Sequence, residues 1–295
     1  MGKNFQSTAQ ALLVQYHSVR SRTRKLTEHL SAEDQTIQSM EEASPTKWHL
    51  AHTTWFFETF LLKPYVKSYQ PLDPSWEYLF NSYYNGVGQQ FCRADRGRLS
   101  RPGLEEIQHY RSYVDEELAK ALSGWEKEGC LQNRQPLLTL GLHHEQQHQE
   151  LILTDILHAF RRHPLRPAYH HCPEELELST EHTSGQQKFL DFSGGITEVG
   201  WDGSLDGPFC FDNEEPRHTA LLPPFALAEK PLTNEEVLSF LADGGYERPE
   251  FWLADGWNWV KKHKRSHPDY WFQKEGSWWQ QTLSGPTTVQ KEQTA

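Results

Sequence analysis

The sequence is short of the features that mark a chain for a membrane, a nucleic acid or an oxidising compartment. No stretch approaches the roughly 18 apolar residues of a membrane span, and the N-terminus MGKNFQSTAQ lacks the charged-then-apolar layout of a signal peptide. Gln6 stands where a myristoylation signal needs Ser or Thr. Positive charge is scarce: 29 Lys and Arg stand against 40 Asp and Glu, for a net charge of −11. Apart from small clusters at Arg20–Lys25 and Lys261–Arg265 the basic residues are scattered, which argues against a nucleic-acid partner. The four cysteines, Cys92, Cys130, Cys172 and Cys210, form no C-x-x-C pair, so neither a zinc knuckle nor a disulfide scaffold is indicated and the thiols read as reduced. There is no internal repeat and no low-complexity tract. These absences make a cytoplasmic protein without a membrane anchor the expectation.

What is abundant is imidazole and aromatic rings: 16 His, 11 Trp and 11 Tyr. Imidazole is the commonest metal ligand, and aromatic rings line small-molecule pockets. At 295 residues the chain is comfortable for two domains. The first half reads as helices: a polar segment over 4–30, a helix launched by Ser44 as N-cap and Pro45, a third opened by Pro102, and a fourth from about Pro136 to Arg162. Leu104, Ile107, Val114, Leu118 and Leu122 recur at helical spacing in the third. Four helices joined by one long connection predict an antiparallel bundle over 1–165. The Pro- and His-rich stretch HPLRPAYHHCPEELE reads as a linker, placed at 166–187. Short Gly- and Pro-punctuated segments with β-type residues then predict an α+β domain over 188–284, with Thr233 and Glu236 forming a capping box, and 285–295 as a disordered tail.

The chemistry concentrates in HHEQQHQE, residues 143–150. On a helix His144 and His148 lie one turn apart and about 40° apart around the axis, so both rings can reach one ion. Leu137, Leu140 and Leu151 share that stripe, which is expected to face the bundle interior. His49 and His52, in WHLAHTTWFFE, offer a third ligand from a facing helix. Three neutral imidazoles would leave coordination positions open. Two histidines at this spacing also occur as ordinary core or surface residues. H-E-Q-Q-H matches the zinc-protease pattern too, with Glu145 as general base, but the longer metzincin continuation fails: Leu151 takes its glycine position and Thr154 its third histidine. Glu150 points away from the stripe, and Gln147 can look into the same cavity or be an inert neighbour.

Several long motifs, in order, are more specific than that pattern. SPTKWHLAHTTWFFE, FNSYYNGVGQQFCRADRGRLSRP and HHEQQHQELILTDIL resemble the helical DinB-like domain of the ergothioneine-biosynthesis sulfoxide synthases, the EgtB family. FDNEEPRH, EKPLTNEEVLSFLADGGYERPEFWLADGW and PDYWF resemble the opening of that family's formylglycine-generating-enzyme-like (sulfatase-modifying-factor, C-type-lectin-like) domain. The resemblance implies a non-haem iron(II) oxidoreductase that uses molecular oxygen to join a cysteine-type thiol, cysteine or γ-glutamylcysteine, to C2 of the imidazole of hercynine, leaving a sulfoxide. By motif it implies iron ligands at His52, His144 and His148, with His49 dropping out. It implies a hercynine contact at Gln147 and a carboxylate clamp for the thiol substrate at Arg93 and Arg96, a task suited to guanidinium forks.

Members of that family continue for over a hundred residues past the point where this sequence stops, and the tyrosine thought to donate the proton lies there. No residue here is assigned that role; Tyr83 and Tyr84 belong to the bundle loop. The expectation is therefore a partial formylglycine-generating-enzyme-like domain in a fragment, a truncated product, or one half of a split enzyme with a partner chain. Trp252, Trp257, Trp259, Trp278 and Trp279 are expected to be left exposed. Alternatives are a metal-dependent thiol S-transferase of DinB-like type, a selenoneine- or ovothiol-type synthase, and a non-catalytic remnant that still binds metal.

Overall fold

Thr8 starts the first helix: its hydroxyl accepts a hydrogen bond from the Ala11 amide, satisfying a donor that the first turn leaves open. The computed structural model describes residues 8–170, 187–203 and 209–294, and packing divides the chain into two units, 1–165 and 166–295.

In the first unit, α1 (Ala9–Thr27) buries Leu12, Tyr16, Arg20, Thr23 and Thr27, a stripe at helical spacing. Helix α2 (Thr46–Phe57) is buried at every position and so takes the middle of the unit. It runs on through a π-helical turn, Glu58–Leu62, into α3 (Lys63–Tyr65). The long connection holds the short α4 (Trp76–Phe80). Helices α5 (Leu104–Lys127) and α6 (Gln135–Arg162) complete the set: α2 packs on both, and α1 packs on both. Ile107, Val114, Leu118 and Leu122 are buried on α5 at the spacing expected.

Three sequence expectations are corrected here. Ser44 does not cap α2; Pro45 occupies the cap position, and the Ser44 hydroxyl accepts from Arg96 instead. The interior stripe of α6 is Leu138, Leu142, Glu145, Ile152 and Ile156, while Leu151 is exposed and Leu137 and Leu140 are only partly buried. His144 and His148 therefore stand at the edge of the packed face, where a cleft begins. Residues 285–294 are ordered rather than a loose tail: they contribute a strand, and the Asn234 and Glu235 amides donate to the Gln293 and Lys291 carbonyls.

In the second unit, β1 (Phe189–Phe192) pairs antiparallel with β4 (Phe225–Ala228), and β2 (Gly195–Val199) with β3 (His218–Leu222). Helix α7 (Asn234–Ala242) has the capping box of Thr233 and Glu236, and α8 (Ala254–His263) follows. Strands β5 (Trp271–Lys274), β6 (Ser277–Thr282) and β7 (Gly285–Thr288) form a three-stranded meander. Its first hairpin turns on Glu275 and Gly276, both at positive φ. Of the five tryptophans expected to be bare, only Trp259 is exposed; Trp252 packs on Phe240 and Tyr246, and Trp278 on Trp271. The exposed apolar surface lies instead on the two-stranded ribbons, at Phe189, Leu190, Ile196, Leu221 and Leu227. Most of the expected linker falls outside the described residues; at its start, the Tyr169 amide donates to the Leu283 carbonyl. Among the described residues no helix is long and apolar enough to cross a membrane.

Candidate metal centre

A glycine sets how closely the two histidine-bearing helices meet. A Cβ on Gly141 would lie 2.5 Å from the buried Phe57 ring, so only glycine allows α6 to approach α2 at this level. One turn further along α6, His144 Nε2 lies 3.2 Å from His52 Nε2. The His148 ring is centred 4.7 Å from that of His144 and 4.8 Å from that of His52. One ligand atom from each of the three falls within 4.8 Å of the others, making them the one such trio among the described residues.

The protein holds these rings in place before any ion arrives. Trp48 and Trp55, one turn before and one turn after His52 on α2, lie nearly parallel to its ring, at 12° and 15°. His52 Nδ1 is 2.6 Å from the Phe80 carbonyl, which only accepts, so the proton sits on Nδ1 and Nε2 keeps its lone pair. Burial pushes His52 and His148 well below the usual imidazole range, and neighbouring histidines add to the shift. Burial likewise lowers His144 to about 4, although part of its ring edge meets the cleft. All three are neutral bases at pH 7. His144 Nδ1 is buried without a partner among the described residues. A cluster of neutral imidazoles with ring nitrogens converging and a polar atom unsatisfied fits a divalent first-row transition ion.

The same cleft, of about 310 Å3, also brings in Arg93, Arg96, Gln147, Tyr83 and Tyr84. All six residues singled out in the sequence therefore border one cavity. Arg96 is buried, its guanidinium lying 3.4 Å from the centroid of Trp48 and donating to the Ser44 and Ser82 hydroxyls at 2.8 and 2.9 Å. Among the described residues it has no carboxylate partner, its Nε is unsatisfied, and burial followed by repulsion from Arg93 lowers it to about 10, so it stays charged. Arg93 is exposed at the rim and donates to the Tyr83 hydroxyl and the Glu42 carbonyl. Gln147 is exposed at the mouth, and Glu150 is exposed on α6. A larger cavity of about 560 Å3, between α1 and α5, has no comparable set of ligand atoms among the described residues.

Glu145 cannot be the base of a zinc peptidase. It points into the core, where Arg20 and Arg111 meet its carboxylate at 3.0 and 2.9 Å and Thr23 donates at 2.7 Å. Burial alone would raise its pKa, but the two arginines outweigh burial and hold it at about 2, so it cannot take a proton near neutrality. His49 lies beside the trio rather than in it, with Nδ1 2.8 Å from His148 Nδ1. Sequence reasoning assigned no part in this site to Ser82, Trp48 or Asp155, took Ser44 only as a helix cap and set His49 aside. All five lie inside the motifs already noted, but only the fold reveals what their side chains touch.

No family model matches the chain. Curated relatives do. The hercynine oxygenase of Mycobacterium tuberculosis is 28% identical over 230 residues, which are 77% of this chain and 50% of the relative. That of Mycolicibacterium smegmatis is 36% identical over 78 residues, 26% of this chain and 18% of the relative. A third, from Mycolicibacterium thermoresistibile, is 35% identical over 66 residues, 22% of this chain and 15% of the relative. At its widest the match spans half of the relative's length. The chain is thus related to the hercynine oxygenases, the EgtB-like family that its motifs resemble.

Proposed function

We infer that this chain carries the iron- and thiol-binding part of an oxygen-dependent sulfoxide synthase of ergothioneine biosynthesis, acting on hercynine and a cysteine-type thiol. The observation that carries the reading is the meeting, in one cleft, of three neutral imidazoles with a buried arginine that has no carboxylate partner among the described residues. The first unit is read as a DinB-like bundle and the second as part of a formylglycine-generating-enzyme-like domain, in a cytoplasmic protein.

His52, His144 and His148 would hold ferrous iron, which when bound supplies open coordination positions for a thiolate and molecular oxygen. The rest is done by the chain. Trp48, Trp55 and the Phe80 carbonyl keep His52 oriented with its lone pair inward. Arg96, held over Trp48 by two serine hydroxyls, presents an uncompensated charge to the carboxylate of the thiol substrate, and Arg93 adds a second at the rim. Gln147 at the mouth supplies an amide for a polar contact to hercynine.

The test is mass spectrometry of an aerobic reaction containing the chain, ferrous iron, hercynine and a mixture of cysteine and γ-glutamylcysteine, with an anaerobic control. An oxygen-dependent sulfoxide adduct, lost in His52→Ala, His144→Ala and His148→Ala, is expected. An adduct that forms equally without oxygen would point to a thiol S-transferase, and full activity in any of the three variants would sink the ligand assignment.

A further inference from the structure

We propose that His49 and Asp155 are positioning residues that lock His148 in the tautomer presenting Nε2 to a metal ion. This rests on the reading of the three histidines as a metal site, but not on the reaction performed there.

The argument is one of hydrogen-bond direction. His49 Nε2 lies 3.1 Å from Asp155 Oδ2, and a carboxylate only accepts, so Nε2 of His49 carries the proton. With that single ring proton, His49 keeps a lone pair at Nδ1. Two ring nitrogens 2.8 Å apart cannot both present lone pairs, so His148 must donate from Nδ1. That leaves the lone pair of His148 on Nε2. His52 reaches the same state through a backbone carbonyl, whereas His144 has no protein partner at Nδ1. Two of the three candidate ligands are therefore fixed by the fold, through different means.

The placement of the pair supports the role. Asp155 follows His148 by two turns along α6, so both lie on one face of the helix, and His49 precedes His52 by three residues on α2. The relay bridges the two helices alongside the His52–His144 contact, a second rung between the same elements. Its far end is also held: Asp155 Oδ2 accepts from the Ser44 amide at 2.8 Å, and the Ser44 hydroxyl accepts from Arg96. His49 is only 2% exposed, so water does not compete for either ring nitrogen. Outer partners of this kind set ring orientation and ligand basicity in metal sites generally.

Two measurements on the purified full chain test the proposal. In long-range proton–nitrogen correlation spectra of the metal-free chain, His148 is expected to carry its proton on Nδ1; a proton on Nε2 overturns the proposal. In titrations with cobalt(II), His49→Leu is expected to weaken binding by about 10–100-fold. His49→Gln, whose amide can donate to Asp155 and accept from His148, is expected to keep most of the affinity. Equal affinity in parent and His49→Leu, or equal loss in the Leu and Gln variants, overturns it. Should His49→Leu fail to fold, the parent's tautomer and the Gln variant's retained affinity decide. Normal tautomer and cobalt affinity with no sulfoxide formed would count against the proposed reaction alone. A parent chain that binds no cobalt would remove the metal site, and the relay's role with it.

Discussion

Helix α6 has two polar faces offset by a single residue, and they are built on opposite plans. Glu145, fully buried, is saturated: Arg20, Arg111 and Thr23 account for its carboxylate, and the arginines in turn reach Asp115, Thr54 and the Leu50 carbonyl. His144, next to it in sequence, leaves a buried ring nitrogen with no partner. One face spends its polar groups on the fold, and the other keeps them open for a ligand. The comparison predicts that substitutions one residue apart act on different properties.

The largest effect is expected at Glu145. Replacing it by Ala leaves the buried Arg111 guanidinium without its carboxylate and Arg20 with Asp115 alone, and removing one member of a buried charge set costs about 3–5 kcal/mol. Urea unfolding of the Glu145→Ala variant should show that loss, while His144→Ala should stay near the parent in the metal-free state and lose metal binding. Equal destabilisation by the two would erase the distinction between the faces. Ligand addition separates them from the other side: iron or cobalt at 100 times its dissociation constant should stabilise the parent by about 2.7 kcal/mol and His144→Ala by almost nothing. Thermal melts with and without the ion read this directly.

Next in size is Gly141, which controls the spacing of α2 and α6 beneath both faces. A methyl group there meets Phe57 and Phe56, both buried, so the helices must part. Gly141→Ala is expected to cost about 1–3 kcal/mol as an overpacked core site and to weaken metal binding as well. An unchanged cobalt affinity would show that the histidine trio tolerates a wider gap.

How much of this was legible beforehand depended on the kind of information. Apolar spacing marked α5, since Ile107, Val114, Leu118 and Leu122 face inward as periodicity requires. The same logic misplaced the interior of α6 by about one residue. Periodicity sees Glu145 as polar, yet two arginines from α1 and α5, more than thirty residues away in sequence, allow it to be buried as completely as Ile152. Ser44 went wrong for a related reason: a serine before a proline reads as a cap, but Arg96 takes its hydroxyl. The candidate ligands His52, His144 and His148 were legible because their spacing and motifs are local. The partners that fix them, Phe80, His49 and Asp155, depend on contacts between helices.

The smallest expected effect is in pH dependence, where the two faces should fail at different points. The carboxyl of Glu145 is held at about 2, below its unfolded value near 4.3, so its contribution is complete above that value and disappears only as pH falls through about 2. His144 is lowered to about 4, against about 6.5 when unfolded. Between those two values the unfolded chain binds protons that the folded chain refuses, so stability falls as pH drops from about 6.5 to about 4. His52 and His148, lowered by the same burial, act in the same direction. Urea unfolding across that range should slope in the parent and slope less in His144→Gln, which has no imidazole to charge. An identical slope in the two would mean that the cleft admits a proton to His144 as readily as water does, and the open face would then be a solvated one.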